Sequence, residues 1–373
     1  MTATPPRPLF LPSPVARLLG LAALLAACAS DDATRRERGA DGDVGTPSPA
    51  TAAAGPSSNA HSTAPAADSV RVAQSGGEDS ATGSARDTTR TPRTDSARFA
   101  EKWAAVKHPR LLPGAILPNR RIVAYYGNVN SKKMGILGEL PAEQMMARLD
   151  AQAKEWERAD PSKPVLRVLE HIAVVAQGDP GKDGLYRRRE AAHLIERVYG
   201  WAHQRGWHSM LDIQLGHSNY RDEVQFLLPW LQRPDVHLAL DPEFDMSNGV
   251  VPGRKIGTTD AAQVNEVIGM LAELVTKHKL PPKVLVVHRF TRNMLTNYDK
   301  IRLDPRVQVV IDMDGWGAPF LKRATYRQYV APFPVQFTGF KLFYHNDTKK
   351  GHALMKPADV LKLYPKPLFI MYQ

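Results

Sequence analysis

Val307-Gln-Val-Val-Ile-Asp-Met-Asp-Gly-Trp316 decides how this chain is read: a β-branched run with the period of a strand, closed by two carboxylates spaced i, i+2 and a tryptophan. Runs of this kind occur eight times: Arg121 to Tyr126, Val165 to His171, Ser209 to Leu215, Val236 to Glu243, Lys283 to His288, Val307 to Asp314, Thr338 to Tyr344 and Pro367 to Tyr372. Amphipathic helical patterns fill the intervals. Tyr186 to Arg205 places Ala191, Leu194, Ile195, Val198 and Ala202 on one stripe before Gly206. Asp260 and Gln263 form a capping-box pair ahead of Val264, Val267, Ile268, Leu271, Leu274 and Val275, and Pro141 opens a third helix. Eight strands alternating with helices predict an α/β fold, a (β/α)8 TIM barrel, over a doubly wound open sheet. No Gly-x-Gly-x-x-Gly follows the first strand, so the usual nucleotide reading falls away and no cofactor is expected.

Outward from the strands the composition changes abruptly. Residues 29–98 hold no Phe, Trp, Tyr, Leu, Ile or Met, and Val44, Val70 and Val72 are their only sizeable apolar side chains, so they cannot build a core. The barrel is therefore expected in residues 99–373, with 99–118 (Trp103, Val106, Leu111) closing its bottom and the last outer helix either missing or replaced by this piece. Residues 28–98 read as an Ala/Ser/Thr/Pro-rich disordered tether, with a typical reach of roughly 45 Å. Residues 1–27 carry Arg7 and Arg17 ahead of the apolar run Leu18 to Ala27, far short of the roughly 20 residues needed to span a bilayer, and read as a secretory signal peptide.

The folded part holds 39 basic and 28 acidic residues, a balance that favours anionic neighbours. No dense basic run with interleaved aromatics is present, so nucleic acid is not expected as a partner. Cys28 is the single cysteine, which excludes an internal disulfide. Leu25-Ala-Ala-Cys28 resembles the lipobox of bacterial lipoproteins. That resemblance implies lipidation of Cys28 and membrane anchoring, and Ala29 after the cysteine implies export to the outer membrane of the envelope.

In a barrel of this kind the site lies at the C-terminal strand ends. There the sequence places Tyr126, Glu170-His171, Asp212 with Gln214, Asp241 with Glu243, His288, Asp312 with Asp314 and Trp316, Lys341 with Tyr344, and Tyr372. Alternation along a strand lets each i, i+2 pair face one bowl, and of Glu170 and His171 at most one can reach it. Carboxylates in such a bowl suit glycoside hydrolysis, and crowding raises the pKa of one of them as an acid requires. Trp316, Tyr126, Tyr344 and Tyr372 are candidates to stack on sugar rings, with Asp212, Gln214, His288 and Lys341 as further substrate contacts. Asp241-Pro-Glu243 resembles the fourth-strand acid motif of barrel glycosidases, including the chitinase-like family, Asp-x-x-Asp-x-Asp-x-Glu. The first two Asp positions are Val236 and Ala239 here. The resemblance implies Glu243 as general acid and Asp241 as its orienting neighbour, with Asp312 or Asp314 as second carboxylate and Glu170 in reserve.

The duller readings are a capping turn at Asp241-Pro-Glu and structural pairing of Asp212 and Asp312 with Lys341, Arg289 or Arg292. Trp103, Trp156 and Trp201 read as packing residues. No Gly-x-Ser-x-Gly elbow supports a serine nucleophile. With no His-x-His or His-Glu-x-x-His spacing, and His345, Asp347 and His352 only loosely grouped, no metal ligand set is assigned. The expectation is a lipid-anchored, glycoside hydrolase-like enzyme acting on a polysaccharide; the alternative is a carbohydrate-binding or envelope-organising lipoprotein without turnover.

Overall fold

The computed structural model describes residues 95–373. The signal peptide, Cys28 and nearly all of the tether lie outside the described residues.

Eight parallel strands form a closed ring: β1 (Arg121–Gly127), β2 (Val165–Ala176), β3 (His208–Ile213), β4 (Val236–Leu240), β5 (Lys283–Arg289), β6 (Val307–Met313), β7 (Phe337–Leu342) and β8 (Phe369–Tyr372). Each pairs with its chain neighbour, and β1 closes the ring by pairing with both β2 and β8. This is the (β/α)8 barrel that the eight runs predict.

Helices α1 (Asp95–Ala104), α2 (Ile136–Glu139), α3 (Ala142–Ala159), α4 (Ala192–His203), α5 (Tyr220–Leu231), α6 (Ala261–His278), α7 (Pro319–Tyr329) and α8 (Pro357–Val360) accompany the ring. Start signals act as expected at α6, where the Asp260 side chain accepts from Ala262 N–H at 2.9 Å while Gln263 Oε1 accepts from Asp260 N–H at 2.8 Å. Its stripe from Val264 to Val275 is buried against the strands' outer residues, among them Leu238, Leu285 and Val309.

Two expectations need correction. The helix predicted from Tyr186 begins only at Ala192, because Arg187–Arg189 pairs antiparallel with the end of β2. Arg187 and Arg189 project to Glu223, a buried carboxylate at 2.8 and 2.7 Å that holds this strand in place. The strand-helix alternation is also incomplete: the segment between β5 and β6 carries no α-helix, only the two-residue strand Leu295–Thr296, paired with Thr259–Asp260, and the 3-10 turn Tyr298–Lys300.

Alternate strand residues split the core into two layers. Ile122, Ala124, Leu166, Val168, Met210, Ala239, Val284, Val286, Val310, Phe369 and Met371 fill the barrel interior together with Ile116 and Leu117. The bottom is thus sealed by Ile116 and Leu117, with Leu117 N–H donating to Gln308 Oε1 at 2.6 Å. Trp103, expected at this seal, donates from Nε1 to Ala331 O at 2.8 Å beyond the end of α7. No described helix is long and apolar enough to cross a membrane.

Candidate active site

The inward-facing positions change character toward the C-terminal strand ends. On β6, Gln308 and Val310 give way to Asp312 and then Asp314; on β2, Leu166 and Val168 give way to Glu170. Glu170, Asp212, His288 and Asp312 are all 0% exposed.

His288 on β5 is the hub. Its Nε2 stands 3.6 Å from Glu170 Oε1 and 3.8 Å from Asp212 Oδ1, and its Nδ1 stands 3.5 Å from Asp312 Oδ2 and 3.4 Å from Asp314 Oδ2. Lys341 Nζ pairs with Asp314 Oδ1 at 2.9 Å and lies 3.8 Å over the Tyr126 ring. Tyr126 OH donates to Asp212 Oδ2 at 3.0 Å, and Gln214 Nε2 reaches both Tyr126 OH and Asp241 Oδ2 at 3.3 Å. Five carboxylates, one imidazole and one ammonium therefore share the upper barrel.

Glu243 arrives by another route than the one the spacing implies. Pro242 supplies no N–H to continue the ladder; β4 ends at Leu240, and Pro242–Phe244 forms a 3-10 turn capped by Asp241, whose Oδ1 accepts from Glu243 N–H at 3.3 Å. The capping turn is real, and it carries Glu243 to the mouth of the bowl, half-buried, while Asp241 stays below it.

Burial dominates the electrostatics. It raises the carboxyls of Glu170, Asp212, Asp241 and Asp312, with the neighbouring acids adding to the effect. Glu243 is pushed up to about 8 by burial and by the charges of Asp241 and Asp314. Burial alone would lower His288 and Lys341, but the charge of Asp314, joined by Asp312 and Glu170 at His288 and by Asp241 at Lys341, holds both above their ordinary values.

Two of the expected aromatic contacts leave the bowl. On β8 the inward residues are Phe369 and Met371, so alternation turns Tyr372 outward, where its hydroxyl accepts from Trp156 Nε1 at 2.9 Å. Tyr344 stacks on Tyr372 at 5.2 Å, shares a 2.8 Å hydrogen bond with Tyr125 OH and carries the Arg148 guanidinium 3.9 Å over its ring. Both belong to the seam between the barrel and α3. Trp316 stays at the rim, 40% exposed, with Lys349 5.4 Å over its ring. His171 points away from the bowl; burial lowers it to about 4.

The supposed pairing of the bowl acids with Arg289 is replaced, since that guanidinium donates to the carbonyls of Thr291 and Arg292 at 3.2 and 3.0 Å. The loose His345, Asp347, His352 group is not a unit either. His345 meets Glu139 at 3.0 Å, while buried Asp347 pairs with Lys322 at 3.1 Å and accepts from Gly317 N–H at 2.8 Å. Lys322 also donates to Gly315 O at 2.6 Å, so the buried pair fixes the loop that presents Trp316. A lysine in the first turn of α7 gave no periodic signal of such a role. Gly339 on β7 carries no sequence signal of its role either: any Cβ there would strike Asp312 Oδ1, so this glycine makes room for the carboxylate.

The chain matches no known protein-family model and no curated protein.

Proposed function

We propose that this barrel hydrolyses a glycosidic bond by carboxylate acid/base catalysis. The observation that carries the reading is Glu243: a half-buried carboxyl at the bowl mouth, pushed up to about 8 and hence protonated at neutral pH. A general acid must hold its proton until the leaving oxygen departs. Glu243 would deliver that proton, and Asp241 would steady it through the turn it caps. Asp314, paired with Lys341 and 6% exposed, is the second carboxylate in this proposal; Asp312 lies fully buried beneath it. Trp316 offers an apolar face to a sugar ring at the rim.

The same proposal makes the chain a lipoprotein: the lipobox-like Leu25-Ala-Ala-Cys28 would be lipidated, and the tether would let the barrel reach polysaccharide at the outer membrane surface. One observation favours glycan binding without turnover: Ala239 faces the interior, below Asp241, where the resembling acid motif carries an aspartate.

The test is product release from a panel of bacterial and plant polysaccharides, with Glu243→Gln as paired control. Cleavage by the wild type that the variant loses supports hydrolysis with Glu243 in the chemistry. Equal rates in both proteins reject Glu243 as the acid. Binding by both with no product supports the non-catalytic lipoprotein.

A further inference from the structure

The lower wall of the bowl contains polar atoms that hydrolysis does not use. Glu170 is 0% exposed, and neither carboxylate oxygen has a hydrogen-bond partner. The same holds for both ring nitrogens of His288, also 0% exposed, and for Asp212 Oδ1. Buried ionisable groups left in this state are strongly destabilising unless something compensates them. The three side chains come from β2, β3 and β5, and one donor atom from each lies within 4.8 Å of the others.

We propose that Glu170, Asp212 and His288 Nε2 bind one divalent first-row transition ion, of the Zn2+ or Mn2+ kind, beneath the Glu243 site. Separations of 3.6 and 3.8 Å from Nε2 to the two carboxylates let an ion at roughly 2.0–2.2 Å from each donor sit between them. One nitrogen with two oxygens suits borderline ions better than Ca2+ or Mg2+. The surroundings supply what such ligands need behind them. Tyr126 OH already holds Asp212 Oδ2 at 3.0 Å, leaving Oδ1 as the ligand atom. Asp312 and Asp314 at 3.5 and 3.4 Å from His288 Nδ1 can take its proton as a hydrogen bond, which selects the tautomer with Nε2 free to ligate.

His288, Asp312 and Asp314 make a second grouping of the same size, but Lys341 Nζ lies 2.9 Å from Asp314 and places a positive charge there already. The Glu170 side has no such cation among the described residues within salt-bridge distance apart from His288 itself. An ion there meets the charge of both acids. The sequence concealed this set because its ligands are single residues on three strands, with none of the short spacings that mark helical or hairpin metal motifs.

The test uses the full chain, stripped with a chelator, equilibrated with Zn2+, Mn2+ or Co2+ and freed of excess by gel filtration. Expected are about one bound equivalent, a melting temperature that rises with ion concentration and, with Co2+, visible d–d absorption from mixed nitrogen and oxygen ligands. Glu170→Gln and Asp212→Asn should each weaken binding by at least about tenfold, and Asp312→Asn by about 10- to 100-fold through the orienting hydrogen bond. Glu243→Gln should retain the full equivalent. Folded wild-type protein that keeps less than about a tenth of an equivalent of every ion, with no shift in melting temperature, overturns the proposal. Wild-type affinity in Glu170→Gln also overturns it, as does a loss confined to Asp314→Asn, which would put the ion on the other side of His288. Should Glu170→Gln fail to fold, the wild-type stoichiometry and Co2+ spectrum still decide. Metal binding without glycan cleavage rejects the hydrolase reading alone, and cleavage without metal rejects only this one.

Discussion

The barrel interior has two halves built on the same strands and equally dry. Below, Val286 and Phe369 are 0% exposed; above, Glu170 and Asp312 are 0% exposed. Burial does not separate the halves, but satisfaction of polar groups does. The polar side chains near the floor have partners: Gln308 accepts from Leu117 N–H at 2.6 Å and donates to Pro282 O at 3.4 Å, and His237 accepts from Val284 N–H at 3.2 Å and meets His208 at 2.9 Å. The upper half leaves both oxygens of Glu170 and Asp312 and both nitrogens of His288 without hydrogen-bond partners. Well-packed apolar residues in those places would make a more stable barrel. The lower half is built for stability, and the upper half gives stability up at the proposed site.

The largest break expected between the halves is in turnover. Glu243→Gln should lower glycan cleavage by about 10²- to 10⁴-fold, the usual contribution of a positioned acid, while the melting temperature holds or rises. Steady-state kinetics beside a thermal melt separates the two effects. Leu117→Ala should do the reverse. It removes a side chain that is 0% exposed from the seal of the floor and should cost about 2–5 kcal/mol of stability, read by denaturant unfolding, with turnover per folded molecule unchanged. If Leu117→Ala slowed turnover as much as Glu243→Gln does, the halves would not be functionally distinct.

A smaller effect sharpens the comparison through pH. Glu243 stands at about 8 in the folded chain and near 4.3 when unfolded, so between those values the folded state keeps a proton that the unfolded state has lost. Stability should therefore fall as pH rises through that window and level off above about 8. The raised carboxyls of Glu170, Asp212, Asp241 and Asp312 act in the same direction. Cleavage, which needs the protonated acid, should decline on the same alkaline limb. In chelator-treated protein Asp312→Asn should gain about 1 kcal/mol near pH 8, because a neutral amide replaces a carboxyl whose charged form is disfavoured by burial and by Asp314. Leu117→Ala should keep the wild-type pH slope, since it touches no titrating group. A flat melting temperature across this range would show that the upper carboxyls are not held as described.

The sequence carried the lower half almost completely, because β-branched runs and alternation follow directly from burying strands on both faces. All eight strands lie where those runs place them, and the capping box at Asp260 gave the start of α6. What escaped is set by tertiary partners. Arg187–Arg189 has a helical composition, yet Glu223 and the end of β2 draw it into a strand. Tyr372 looked like a rim residue because its facing depends on where β8 begins, and a one-residue difference in register reverses it. In the upper half the identities of the inward acids were legible, one strand at a time. Their convergence on His288 was not, because neither the ring nor the room that Gly339 leaves for Asp312 is written in any local spacing.

Trp316 tests where the upper half ends. It follows Asp314 and Gly315 directly, but at 40% exposure it belongs to the rim, held by a loop that Lys322 and Asp347 fix from below. Trp316→Ala should leave the unfolding free energy within about 0.5 kcal/mol, as expected for a surface site. If the indole stacks on a sugar ring, its loss should remove about 1 kcal/mol of ground-state and transition-state binding alike. That corresponds to a roughly fivefold rise in KM with kcat unchanged. Lys322→Met should give a similar rise without touching the substrate, because the loop carrying the indole would lose its anchor at Gly315 O. A fall in kcat in Trp316→Ala would instead carry the working boundary of the site out to the rim and make the tryptophan part of the chemistry proposed for Glu243.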